Sequence, residues 1–114
     1  MIYEFGRWKV PIVNREKHRK VVEAIYANIR SNRARFSYLW SSRIYAPMYP
    51  EGLQDELWMY LDAYEDEENY RRMSRTLLED KQAAALRSEW ERLIVPGSFR
   101  TELWAELAPE FWIE

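Results

Sequence analysis

The sequence predicts an α+β fold in which a four-stranded antiparallel sheet carries its helices on one face. Three observations lead there. Strand-like alternation and helical spacing succeed one another in the order β-α-β-β-α-β. The segment Glu56-Leu57-Trp58-Met59-Tyr60-Leu61-Asp62-Ala63-Tyr64 alternates strictly, with aliphatic or small residues at odd positions and acidic or aromatic residues at even ones. Successive side chains leave a strand on opposite sides, so one face of this strand is plain and the other is a Trp/Tyr/Asp surface. Residues 100–107 repeat the design, with Leu103, Ala105 and Leu107 against Glu102, Trp104 and Glu106.

Each element has a local reason. Residues 2–9 alternate, are rich in aromatics and stop at Pro11, which reads as a first strand. Asn14 suits a helix N-cap, and Val21, Val22, Ile25, Ile29 and Phe36 recur at helical spacing to about Arg35, with Lys17, Arg19, Lys20, Glu23, Arg30 and Arg33 on the solvated side. Residues 37–46 are β-rich, and Pro47, Pro50 and Gly52 mark a loop before the strand at 56–64. Glu65-Asp66-Glu67-Glu68 suits a first helical turn, where carboxylates meet the positive end of the dipole. The second helical region splits in two. Tyr70, Met73 and Leu77 form one stripe and Ala83, Leu86, Trp90 and Leu93 another, about one residue out of phase, with Asp80 at the slip as the cap of the second piece. Pro96-Gly97 ends it, residues 98–107 form the last strand, and Ala108-Pro109 leads to the aromatic tail Phe111-Trp112-Ile113. This is the ferredoxin-like, split βαβ order, whose sheet has one face left open by its helices. The expected open face is the one that bears the Trp, Tyr and acidic side chains.

At 114 residues the chain is one domain, residues 1–114, with 47% hydrophobic and 32% charged residues. No apolar run approaches the length of a membrane span. Residues 1–5 show neither the basic segment nor the apolar core of a signal peptide, and with no Cys there is no disulfide or thiolate chemistry; a cytoplasmic protein is expected. Net charge is −2, but residues 1–45 hold ten Lys/Arg against three Asp/Glu and residues 46–114 hold seven against sixteen. We read this as attraction between the halves, within a subunit or across a dimer, and expect no nucleic-acid binding.

Trp58 through Tyr64 leading into Tyr70-Arg71-Arg72-Met73, then Leu86-Arg87-Ser88-Glu89-Trp90 and Ile94-Val95-Pro96-Gly97-Ser98-Phe99, give the chain a resemblance to the dimeric α+β barrel group, and within it to small NIPSNAP-like proteins. The resemblance implies a homodimer built through the open sheet faces, around a cavity that takes a small hydrophobic or aromatic ligand. It implies little about chemistry, because the group holds monooxygenases, haem-degrading enzymes, isomerase-like proteins and members without known activity.

The chemistry the residues allow is narrow. A haem site of the group's kind takes a His on the second helical region, whereas the only His is His18, on the first helix, where a structural or solvent-facing role is expected. With one His and no Cys, neither a metal nor another cofactor is expected. Ser41, Ser42, Ser74, Ser88 and Ser98 lack a nucleophile-elbow pattern, and Gly6, Gly52 and Gly97 form no phosphate loop. The candidate site is the aromatic and acidic set Trp58, Tyr60, Asp62, Glu102, Trp104 and Glu106, joined by some of Glu4, Trp8, Tyr38, Trp40 and Arg43. We nominate Trp58, Tyr60, Asp62, Trp104, Trp40 and Glu4 as ligand-binding residues. A carboxylate desolvated among Trp and Tyr rings has a raised pKa, which suits Asp62 or Glu4 to proton transfer in enolisation or cofactor-free oxygenation of an aromatic or polyketide-like substrate. The alternative is a non-catalytic oligomerisation module whose aromatic face only builds the interface.

Overall fold

The computed structural model describes residues 1–48 and 55–114; Pro50 and Gly52 of the expected loop lie outside them. The strands are β1 (Ile2–Val10), β2 (Ser41–Tyr45), β3 (Glu56–Tyr64) and β4 (Arg100–Ala105), and the helices are α1 (Arg15–Ser31), α2 (Glu67–Glu79) and α3 (Lys81–Glu91). The sheet runs β2-β3-β1-β4 with every pairing antiparallel, the order of a ferredoxin-like fold. Among the described residues no helix is long and apolar enough to cross a membrane.

The expected break in the second helical region is present at its expected cap. Asp80 is extended, and its carboxylate accepts from the Ala83 N–H at 2.8 Å while Arg35 pairs with the same side chain at 2.5 Å. The backbone bond from Ala83 and the Arg35 charge hold Asp80 below the usual carboxylate range despite some desolvation. Asp66 caps α2 in the same way, through the Asn69 N–H at 2.8 Å. Asn14 occupies the N-cap position of α1 without capping it; its amide donates instead to the Leu93 carbonyl at 3.1 Å, tying the start of α1 to the end of α3. Three strand and helix ends differ from expectation. α1 stops at Ser31, and residues 32–38 turn, stapled by Arg33, which donates to the Phe36, Leu39 and Trp40 carbonyls. Phe36 is buried from that turn, not from a helix, and β2 keeps only residues 41–45 of the expected 37–46. β4 spans 100–105, not 98–107; it starts late because Gly97 takes a φ of 74° and the Arg100 guanidinium folds back onto the Gly97 and Phe99 carbonyls.

The core has two centres on the helical side of the sheet. Trp8, Val10 and Trp58 pack with Val21 and Val22 of α1, Trp90 of α3 and Ile94. Phe36, Leu39, Tyr64 and Met73 form the other, toward the opposite end of β3. The first centre encloses His18, which is fully buried and accepts from the Trp8 indole N–H at 2.8 Å, so its proton sits on Nδ1. Its ring meets Trp58 edge-on at 4.6 Å. The histidine is therefore structural. Burial lowers its pKa to about 4, against the smaller opposing pull of Glu56.

That burial has a consequence for acid stability. The unfolded chain takes up a proton near pH 6.5 and the folded one only near pH 4, so His18 costs nothing above pH 6.5 and destabilises increasingly as pH falls through the window, by on the order of 3 kcal/mol at its lower end. Urea unfolding of the wild type across that window should show this loss, and His18→Gln should be less stable at neutral pH yet have a flatter pH dependence. Equal slopes for the two proteins would refute the assignment.

Candidate functional site

The register decides which side chains share a face. Trp8 lies opposite Trp58, Gly6 opposite Tyr60 and Glu4 opposite Asp62, while Ser42 and Ile44 of β2 lie opposite Asp62 and Tyr60. Directly opposed residues point the same way, and Trp8 and Trp58 are packed against α1 and α3. Glu4, Trp58, Tyr60 and Asp62 therefore lie beneath the helices. This corrects the expected placement: the aromatic and acidic face of β3 is the covered one, and the face left open carries Leu57, Met59, Leu61 and Ala63. Alternation defines two faces without saying which is inward, and here the large rings fill the space between sheet and helices.

β4 takes the other parity. Trp104 lies opposite Tyr3 and Glu102 opposite Phe5, so both stand on the open face, away from Trp58, Tyr60 and Asp62. The Tyr3 hydroxyl donates to Glu106 at 3.2 Å. Trp40 precedes β2, 60% exposed, with only its backbone N–H tied to the sheet through the Ala63 carbonyl at 2.9 Å. Arg43, opposite Leu61, is on the open face, and Tyr38 sits under the Arg72 guanidinium at 5.6 Å. Of the six nominated residues, four are brought together and Trp40 and Trp104 are not.

The assembled cluster occupies the space between the two apolar centres. Asp62 accepts from the Ser42 hydroxyl at 2.5 Å, and Ser42 in turn lies 2.6 Å from the Tyr26 hydroxyl of α1. With Asp62 taking the serine proton, Tyr26 donates to Ser42, which gives a directed chain Tyr26–Ser42–Asp62. Beside it the Tyr60 hydroxyl donates to Glu4. Burial pushes the Asp62 carboxyl up to about 7; the Ser42 bond opposes the shift and the Glu4 charge adds to it. Burial likewise raises Tyr26 to about 12 and raises Tyr60, Tyr64 and Tyr70, the last three also facing the Glu4 charge. Two carboxyl groups and four phenols thus meet under the helices, and one carboxyl is poised near neutrality. The flank toward β4 is open, since Leu103, opposite Glu4, is 50% exposed.

Tyr26, Ser42, Tyr64 and Tyr70 were not anticipated. Ser42 and Tyr64 follow from the alternation of β2 and β3 once the faces are known; Tyr26 and Tyr70 follow only from packing. Trp58 contributes a different feature, an indole N–H that is buried without a hydrogen-bond partner. Among the described residues no three His, Cys, Asp or Glu side chains come together as metal ligands.

No family model matches the sequence, and no curated protein matches it significantly. Solved structures do. A candidate antibiotic biosynthesis monooxygenase from Caulobacter crescentus CB15 superposes with a TM-score of 0.71 at 13% identity, over 94% of this chain and 90% of that one. An uncharacterized NIPSNAP domain protein from Burkholderia xenovorans gives 0.66 at 13% identity over 100% of both chains. SnoaB, a cofactor-independent oxygenase from Streptomyces nogalater, gives 0.56 at 12% identity over 95% and 96%. The chain therefore has the ferredoxin-like α+β fold that these proteins share.

Gly6 is where the cluster is most easily disturbed. A Cβ there would stand 2.2 Å from the Tyr60 ring, which lies over the glycine from the neighbouring strand. Gly6→Ala should displace that ring and break its bond to Glu4, lowering stability by about 1–3 kcal/mol. Equilibrium unfolding with tyrosine NMR shifts checks this; an unmoved Tyr60 and unchanged stability would contradict the packing.

Proposed function

We propose that this protein is a homodimeric α+β barrel that binds a small aromatic or polyketide-like molecule within each subunit, between the sheet and the helices. The observation that carries the reading is the Asp62 carboxyl, partly shielded, bonded to Ser42 and raised to about 7. A binding site for an apolar ligand needs apolar walls and a few oriented polar groups. Tyr60 and Trp58 supply walls, the unpartnered Trp58 N–H supplies a donor for a ligand carbonyl, and Asp62 and Glu4 accept from ligand hydroxyls. Trp104 and Trp40 are set aside as ligand contacts in this reading and belong to the exterior.

Proton transfer is the activity such a site suits. A carboxyl near neutrality is ionised often enough to take a proton from a phenol or enol and holds it well enough to return it. The Ser42–Tyr26 chain orients Asp62 without adding charge. A phenolate formed this way can give electrons to dioxygen without a bound cofactor, and SnoaB, which shares the fold, is named as a cofactor-independent oxygenase. Return of the enol proton to a carbon of the same molecule, giving the keto form, would make the same site an isomerase.

The dimer is proposed through the open sheet face, where Leu57 is 45% exposed, Tyr45 43% and Trp104 58%. Burying the apolar part of this face contributes roughly 25 cal/mol per Å², offset by the entropy lost on association.

Native mass spectrometry and oxygen uptake with a hydroxylated polycyclic phenol test both parts. The wild type should run as a dimer and consume oxygen without added cofactor. Asp62→Asn should keep the dimer and lose at least about a hundredfold in rate, the usual worth of a positioned acid/base. Unchanged turnover in Asp62→Asn would remove Asp62 from the chemistry, and a wild-type monomer at micromolar concentration would remove the dimer.

A further inference from the structure

The open face of the sheet carries a concentration of positive charge that the subunit itself does not answer. Arg7 and Lys9 project from β1 on that face, and Arg100 of β4 lies directly opposite Arg7. Like charges in directly opposed positions destabilise a sheet. Among the described residues no ion pair involves Arg7, Lys9 or Arg100. Together with Leu57 and Pro96 they line a groove of about 480 Å³ that is open to solvent. It is a basic trough with an apolar floor.

The tail after β4 has the complementary chemistry. Glu106, Glu110 and Glu114 recur every four residues, and between them Leu107, Phe111 and Ile113 are 61%, 69% and 100% exposed. The tail does not finish its own core. It is nonetheless shaped, by a 3-10 turn at Pro109–Phe111 and by the Trp112 indole donating to the Leu107 carbonyl at 2.8 Å. It leaves the sheet beside Met1, the end of β1 opposite to the groove, so it does not reach the groove of its own subunit along the sheet.

We infer that the acidic, aromatic tail of one subunit docks into the Arg7/Lys9/Arg100 groove of a second copy of the chain. The inference rests on the proposed pairing of open faces. A twofold axis lying across the strands sets the tail end of one β1 over the groove end of the other. One pairing then brings Glu110 and Glu114 to the cations and covers three large apolar side chains, while Glu106 stays with Met1 and Tyr3 of its own subunit. It also brings Arg7 and Lys9, from the basic half of each subunit, against the acidic end of its partner.

The test is a charge exchange between full-length chains, followed by sedimentation at low salt. Arg7→Glu with Lys9→Glu makes one variant, and Glu110→Lys with Glu114→Lys the other; all four side chains are exposed, and circular dichroism verifies that each variant folds. Each variant alone should dimerise at least about tenfold more weakly than the wild type. Mixed together they should recover wild-type affinity, because both tail–groove contacts in the heterodimer are again of opposite sign. A wild-type dimer unaffected by either reversal, or weakened variants that do not rescue one another, would overturn the docking while leaving the open-face dimer in place, and would leave the groove to a small anion or another acidic chain. A wild-type monomer would overturn both. Should the groove variant not fold, Ile113→Asp in the tail takes its place, with weakening of the dimer expected and an unchanged dimer overturning the docking.

Discussion

Trp8 and Trp58 stand opposite one another on β1 and β3, and the space they fill sets how the helices rest on the sheet. The Trp8 ring meets Trp90 of α3 edge-on at 5.2 Å and bonds through its indole N–H to His18 of α1, so one side chain fixes both helices against the same strand. Because β-strand side chains alternate, committing two indoles to the helical side commits Tyr60, Asp62 and Glu4 to it as well. The polar cluster is thus a by-product of where the aromatic core sits. Asp62 is desolvated because the fold needed the neighbouring rings to be buried.

The same constraint gives the two sides of the sheet different work. On the helical side, apolar centres at both ends of β3 enclose a short polar span in which Asp62 is held near neutrality. On the open side, aliphatic residues of β3 are flanked by Arg7, Lys9, Arg43 and Arg100 and by Trp104. The ligand site proposed inside the subunit and the association surface proposed outside it would not compete for the same residues, so substitutions at one can be read without confounding the other.

Most of the architecture was legible in the sequence, and the main error was one of side. Element order, the slip between α2 and α3 and the cap at Asp80 all follow from local chemistry: apolar spacing, a phase change and a carboxylate at a free N–H. The orientation of β3 does not, because strict alternation is symmetric until something outside the strand chooses. The signal was in β1, where Arg7 and Lys9 flank Trp8 and Val10, so that the charged parity faces out and the aromatic parity in; the register of β1 on β3 then carries that choice across. The short β2 escaped for another reason. Tyr38, Leu39 and Trp40 look like the start of a strand, yet Arg33 bonds the Phe36, Leu39 and Trp40 carbonyls and holds this stretch out of the sheet, a tertiary contact overriding propensity.

The central claim is that the Asp62 face lies beneath the helices, and the titration of that one carboxyl tests it most directly. Carbon-detected NMR of the Asp62 side chain across the pH range should give a midpoint near 7, displaced by burial from its ordinary value of 3.8. A midpoint near 3.8 would mean a solvated carboxylate on an open face, and would contradict the account at its foundation.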